Sequence, residues 1–189
     1  MFWLLFSASI QLALAAQLGT GTSATLGLDE TPWDFAADPL DIGEQEGWFD
    51  LHRKPRLERV IMSPGAWQAQ GVGNASSDGF MSHQYQGVGW YRKAVSLVNV
   101  SQARSASSVW LWIGGAPGGV MRSAKVWANG LFIGRHIGYI EPLEMNLTSA
   151  ITAGAGSTTL IVAVAIDSRW NKTEEALWGG GSMFNQASD

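Results

Sequence analysis

One dipeptide constrains this chain more than any other feature. Asn129-Gly130 stands between two β-rich runs, Ala124-Lys-Val-Trp-Ala128 and Leu131-Phe-Ile-Gly134. A tight type I′ turn needs positive φ at both central residues, and Asn followed by Gly provides it at little strain. The pattern predicts an antiparallel hairpin over 124–134. Other runs of β-branched and aromatic residues extend the reading. Leu57–Met62 reads as a short strand ending at the Ser63-Pro64-Gly65 turn. Gly89–Leu97 reads as a second, with Trp90, Arg92 and Ala94 on one face and Tyr91, Lys93 and Val95 on the other. Val109-Trp-Leu-Trp-Ile113 is apolar on both faces, which predicts a strand covered on both sides. Thr158–Asp167 is the last clear strand, and Asn146–Ile151 reads as a short capped helical turn. Short strands spaced this way, with no long amphipathic helix, predict an all-β fold: a β-sandwich or jelly roll.

The rest of the chain adds less regular material. Residues 17–32 are rich in Gly, Thr, Ser and Ala and read as a linker. Residues 33–50 have no clear period and read as loop with one helical turn. They hold the densest acidic group, Asp34, Asp38, Asp41, Glu44 and Glu46. No calcium-loop spacing appears there, so a solvated acidic loop is the expectation. The 10 tryptophans among 189 residues can stack on sugars, but Trp67, Trp90, Trp110, Trp112 and Trp127 fall in or beside strands. Most of these are expected in the core.

Several function classes drop out. The 12 basic residues are scattered and the net charge is −4, which disfavours nucleic acid and anionic membranes as partners. With no cysteine there is neither a disulfide nor a thiolate metal site. The three histidines have no metal-ligand spacing, and His136 reads as structural. Gly114–Gly119 is glycine-rich, but no lysine or helix signal follows it, so it reads as a connection rather than a phosphate cradle. Neither a metal nor a cofactor is expected.

The N-terminus points to export. Residues 1–16 form an apolar run ending in Ala13-Leu14-Ala15, which resembles a signal-peptide cleavage site. The run is too short for a spanning helix, so no membrane association is expected after cleavage. Four of the six asparagines lie in glycosylation sequons: Asn74, Asn99, Asn146 and Asn171. Both features place the chain outside the cell or in a secretory compartment. The division expected is a signal peptide at 1–16, a linker and approach segment at 17–50, and a sandwich at 51–189.

Five segments then occur in a specific order. They are Ser63-Pro-Gly-Ala-Trp-Gln68, Tyr85-Gln-Gly-Val-Gly-Trp-Tyr-Arg-Lys93, Ala124–His136, Pro142–Thr148 and Leu160–Trp170. In order and spacing, from about Asp50 to Trp178, they resemble the N-terminal sugar-binding domain of family 2 glycoside hydrolases, which include β-galactosidases and β-glucuronidases. The resemblance implies a galactose-binding-domain-like jelly roll. It also implies a following immunoglobulin-like domain and a catalytic barrel with two catalytic glutamates, so no catalytic residue is expected in this chain. The pattern's closing strand has no clear counterpart after Trp178-Gly-Gly-Gly-Ser182, which implies a sandwich without its last strand.

The family's late loop reaches the sugar, which implies contacts from Asp167, Glu175 and Trp178. Glu175 stands three residues before Trp178, whereas the family's acid often stands two before, where this chain has Ala176. His83 and Tyr85, in a loop before the Trp-Tyr strand, are further candidates. The function implied is a non-catalytic carbohydrate-binding and support domain of a secreted glycosidase, with carbohydrate and a catalytic barrel as partners. A free-standing lectin-like module and a truncated fragment without independent function are the alternatives.

Overall fold

The computed structural model describes residues 11–18, 23–28, 32–53, 59–61, 67–75, 83–97, 106–114, 122–138, 142–154 and 157–169. Twelve strands and one short helix are found among them. In chain order the strands are β1 (Gln11–Leu18), β2 (Ser23–Gly27), β3 (Trp33–Asp38), β4 (Arg59–Ile61), β5 (Asn74–Ala75) and β6 (His83–Gln84). They continue with β7 (Val88–Ser96), β8 (Ala106–Gly114), β9 (Arg122–Ala128), β10 (Leu131–Gly138), β11 (Leu143–Asn146) and β12 (Thr159–Asp167). The helix, α1, is Thr148–Ala153.

Two antiparallel sheets face each other. One has the order β10-β9-β12-β7-β3-β4 and the other β11-β8-β1-β2, while β5 and β6 form a separate small ribbon. This is the β-sandwich that the strand pattern implies. The interior is filled by residues that alternate along each strand. Phe35, Tyr91, Val95, Val126, Leu160, Val162 and Val164 come from the larger sheet, and Val109, Leu111 and Leu143 from the smaller. Trp33, Trp67 and Leu147 complete this core. Burying such side chains is worth about 1.5–3 kcal/mol each, so this layer is a principal source of stability.

The hairpin forms where Asn129-Gly130 places it. Both residues have positive φ, 50° and 79°, and β9 runs into β10 through them. Asn129 also stitches outward: its Oδ1 accepts from the Ile161 amide at 2.9 Å and its Nδ2 donates to the Ala150 carbonyl at 3.3 Å.

Five sequence readings change. The linker reading of 17–32 fails where β2 occupies 23–27 in the smaller sheet and Leu28 is buried in the core. The loop reading of 33–50 fails for its first six residues, because β3 occupies 33–38 inside the six-stranded sheet, between β7 and β4. Asp38 is not part of a solvated acidic loop; it is buried. The helical turn after Asn146 forms, but its N-cap is Leu147, and Asn146 Oδ1 instead accepts from the Thr148 amide at 2.9 Å. Strand β8 is fully covered on one side and only in part on the other. Val109, Leu111 and Ile113 face the core, while Trp110 is 40% exposed. Trp112, on the same outer side, is half-buried.

Residues 11–16, read as the end of a leader, lie in β1 between β2 and β8. The turn at Ser63-Pro64-Gly65 and the loop after Gly114 fall outside the described residues. Among the described residues no helix is long and apolar enough to cross a membrane.

Candidate functional site

The six-stranded sheet has a second buried face, away from the sandwich core. Trp90 of β7 and Trp127 of β9 project there with Val88, Ala163 and Ala165. The rings form a column: Phe49 stacks on Trp127 at 5.1 Å between centroids, and Trp127 on Trp90 at 5.0 Å. Trp48 meets Trp90 edge-on at 6.1 Å. Trp48 and Phe49 belong to the segment 39–53, which straps across this face. A strap without strand pairing must satisfy its backbone by other means.

Two buried polar side chains do so. Asp38 accepts from the amides of Ile42 at 2.9 Å and Gly43 at 2.7 Å, and from Trp90 Nε1 at 3.1 Å. A side chain at Gly43 would collide with Trp90 and with the Asp38 carboxylate, so glycine allows this approach. Arg92 holds the other end. Its guanidinium donates to the carbonyls of Trp48, Asp50, Leu51 and Arg53 at 2.6–3.1 Å. Burial lowers the Arg92 pKa, and Asp34 and Asp50 act in the opposite sense.

Where β12 ends, the structure gathers several polar groups. Asp167 pairs in register with Val88 of β7 and with Ser123 of β9, and Val88 pairs with Asp38 of β3. Four strands thus bring their ends to one edge. Arg169 donates to both Asp167 oxygens, from Nε at 2.9 Å and from Nη2 at 2.7 Å, and also to Asp41 Oδ2 at 2.7 Å. The two carboxylates hold its pKa above the ordinary arginine value. Asp41 has φ of 55°, a left-handed conformation that Asp tolerates better than most residues. Ser168 binds both backbone groups of Gly87 at 3.0–3.1 Å, which fixes the exit of β12 against the entry of β7.

Tyr85 stands at the same edge. Its ring packs against Trp67, whose Nε1 donates to the Tyr85 carbonyl at 3.3 Å. Its hydroxyl donates to the Val88 carbonyl at 2.8 Å. Burial raises the Tyr85 pKa; a backbone hydrogen bond at Asp38 works against this, and Asp38, Arg169 and Asp167 all exert charge effects on it. Asp167 therefore lies close enough to Tyr85 to act on it through its charge. His83 lies in β6, in register with Ala75 of β5. Glu175 and Trp178 lie outside the described residues, as do Asn99 and Asn171. Asn74 lies in β5.

Sequence reasoning missed Asp41 and Arg169 as partners. Arg169 follows Asp167 by two residues, but nothing local marks Asp41, which is 128 residues away. Around them, Lys125 is paired with Glu44, and Trp48 Nε1 donates to Glu46 at 2.9 Å. Among the described residues, no group of three or more His, Asp or Glu side chains is placed to hold a metal ion.

Comparison with known proteins places this arrangement. Over 93 residues the chain is 33% identical to a β-galactosidase of Thermoanaerobacter pseudethanolicus; the match covers 49% of this chain and 11% of that enzyme. The chain resembles part of a family 2 glycoside hydrolase. The structure of Ruminococcus gnavus β-glucuronidase superposes with a TM-score of 0.59 at 21% identity, over 86% of this chain and 22% of that one. The same enzyme with D-glucuronic acid gives 0.59 at 19% identity, over 92% and 24%. That likeness is one of fold. The chain therefore spans about a tenth to a quarter of these relatives' length. No family model matches the chain.

Proposed function

We propose that this chain is the non-catalytic, carbohydrate-side support domain of a secreted glycosidase, working beside a catalytic barrel. The observation that carries the reading is the extent of the match: nearly all of this chain corresponds in fold to less than a quarter of a glycosidase. What is shared is one domain of a larger hydrolase. Glycosidase chemistry needs two carboxylates placed either side of a sugar. The carboxylates gathered at the end of β12 are instead bridged by an arginine, with Arg169 between Asp41 and Asp167. This cluster clamps. It fixes the end of β12, the strand that precedes in sequence Glu175 and Trp178, the residues that the resemblance assigns to the sugar. Tyr85 braces the same edge from the loop before β7.

The test uses the purified chain. No turnover of nitrophenyl β-galactoside or β-glucuronide is expected. On titration with galactose or glucuronic acid, amide resonance shifts should be confined to Tyr85, Asp167 and the residues after β12. Turnover that disappears in Asp167→Asn, or sugar-induced shifts lying elsewhere in the sandwich, would defeat the reading. Export is tested separately by N-terminal sequencing of secreted chain. A start at Gln17 identifies a leader whose loss removes six of the eight residues of β1, and a retained Gln11–Ala16 identifies a strand.

A further inference from the structure

We infer that Asn146 is a glycosylation site whose first sugar packs on the exposed ring of Trp110. The inference rests on the secretory part of the proposed function and adds a modification site to it. Strand β11 pairs with β8 in the register Leu143↔Ile113, Glu144↔Trp112, Met145↔Leu111 and Asn146↔Trp110. Side chains directly opposite in an antiparallel pair share a face, with Cβ atoms about 4.5–5.5 Å apart. Leu143, Leu111 and Ile113 face the sandwich core. Asn146 and Trp110 face outward together, and both are exposed. A Trp left 40% exposed on a sheet face is an apolar surface in need of a cover. A pyranose has an apolar face of matching shape, and the indole offers it a flat partner.

The sequon Asn146-Leu147-Thr148 is built so that its own contacts survive modification. Asn146 uses Oδ1 to accept from the Thr148 amide, and Thr148 uses Oγ1 to accept from the Val109 amide at 2.9 Å. Neither contact engages Asn146 Nδ2, the atom to be modified. The donor is a lipid-diphosphate-linked oligosaccharide supplied by the secretory host. A bond forms from Nδ2 to C1 of the first sugar and the bond from C1 to the diphosphate oxygen breaks. The lipid diphosphate departs with the electron pair, and Nδ2 gives up one proton. Leu147 is fully buried between the two polar residues, so the folded chain fixes Asn146 at the end of β11. Strand β11 is an edge of its sheet, and a glycan there also shields an open strand edge.

The test expresses the full chain behind a foreign secretion leader in a glycosylating host. Failure of the chain's own N-terminus to direct export then counts against the secretory reading alone. Peptide mass spectrometry reads occupancy at Asn146. Melting is compared before and after enzymatic removal of glycans, in a background carrying Asn74→Gln, Asn99→Gln and Asn171→Gln. Should that background fail to fold, the glycosylated chain is compared directly with Asn146→Gln. With Trp110 present, losing the glycan is expected to lower Tm by about 2–4 °C, the response of a domain this size to one modest contact. In Trp110→Ala the shift should vanish while occupancy is unchanged. An unoccupied Asn146, or an equal Tm loss with and without Trp110, overturns the inference.

Discussion

The six-stranded sheet buries both of its faces, and it does so by different physics. The inner face meets a second sheet. Val126, Leu160, Val162 and Val164 interlock there with Val109 and Leu111, and contacts between such side chains have no required direction. The outer face meets the strap 39–53, which has no ladder of its own. Its aromatic column needs Asp38 and Arg92 to hold the strap in place through six hydrogen bonds to the strap backbone, while a seventh ties Asp38 to Trp90. A sheet can be covered by surface area alone, whereas a loop has to be pinned. One pin, Asp38, is level with the end of β12, where Arg169 ties in Asp41 of the strap. Strap and candidate sugar edge are therefore mechanically continuous.

The comparison breaks most sharply at Arg92. Arg92→Met leaves four strap carbonyls without their donor and should cost about 3–5 kcal/mol in all, since a hydrogen bond to a charged group is worth about 1.5–3 kcal/mol. Leu160→Ala on the inner face should cost a similar 2–5 kcal/mol by leaving a cavity. Chemical denaturation measures both totals, and amide exchange separates them. In Arg92→Met the amides of Glu46, Trp48 and Asp50 should exchange far faster than those of β12. In Leu160→Ala all slowly exchanging amides should speed up together. If Arg92→Met also loosens β12 to the same degree, the two faces do not differ in the way argued.

A smaller effect is expected at Asp38. Asp38→Asn keeps the shape but replaces one acceptor oxygen by a donor, which then faces an amide or the Trp90 indole N–H. A loss of about 1–3 kcal/mol follows from the unmade hydrogen bond. The strap should open without unfolding the sandwich, and tryptophan fluorescence should redden as Trp90 meets water. An unchanged emission maximum would mean that the aromatic column stands without its polar pin.

The contrast also explains what could be read from the chain. β7, β12 and the β9–β10 hairpin were legible because their signals are local: alternation, β-branched runs and Asn-Gly. β3 was not, although Trp33 and Phe35 alternate with Asp34 in proper strand fashion. Its acids and the glycines that follow made it resemble the loop it leads into. Asp38 looked like one more solvated carboxylate because its indole partner, Trp90, lies 52 residues on. The same holds for the candidate site. Asp167 could be named from resemblance and Tyr85 from its loop position, but the Asp41–Arg169 bridge depends on strand ends that only the folded sheet brings together. Trp110 was misjudged for a related reason: periodicity shows which residues share a face, not what lies over it.

The finest test concerns a single phenol in the inner face. Tyr91 is buried against Phe35 and Trp67, and burial raises its pKa above the ordinary tyrosine value. The unfolded chain ionises Tyr91 near pH 10, whereas the folded chain keeps it protonated beyond that. Over this window the unfolded state binds fewer protons, so stability must fall as pH rises. Below about pH 10 the contribution is complete. Tyr85 shifts in the same direction, and Lys93, whose pKa burial lowers, shifts in the opposite one. Tyr91→Phe should therefore flatten the alkaline limb of the stability curve without abolishing it, and leave neutral-pH stability nearly unchanged. Denaturant midpoints measured from pH 8 to pH 11 check this. If the variant's midpoint falls as steeply as that of the parent, the inner face admits water at Tyr91. Its separation from the pinned outer face would then be one of degree.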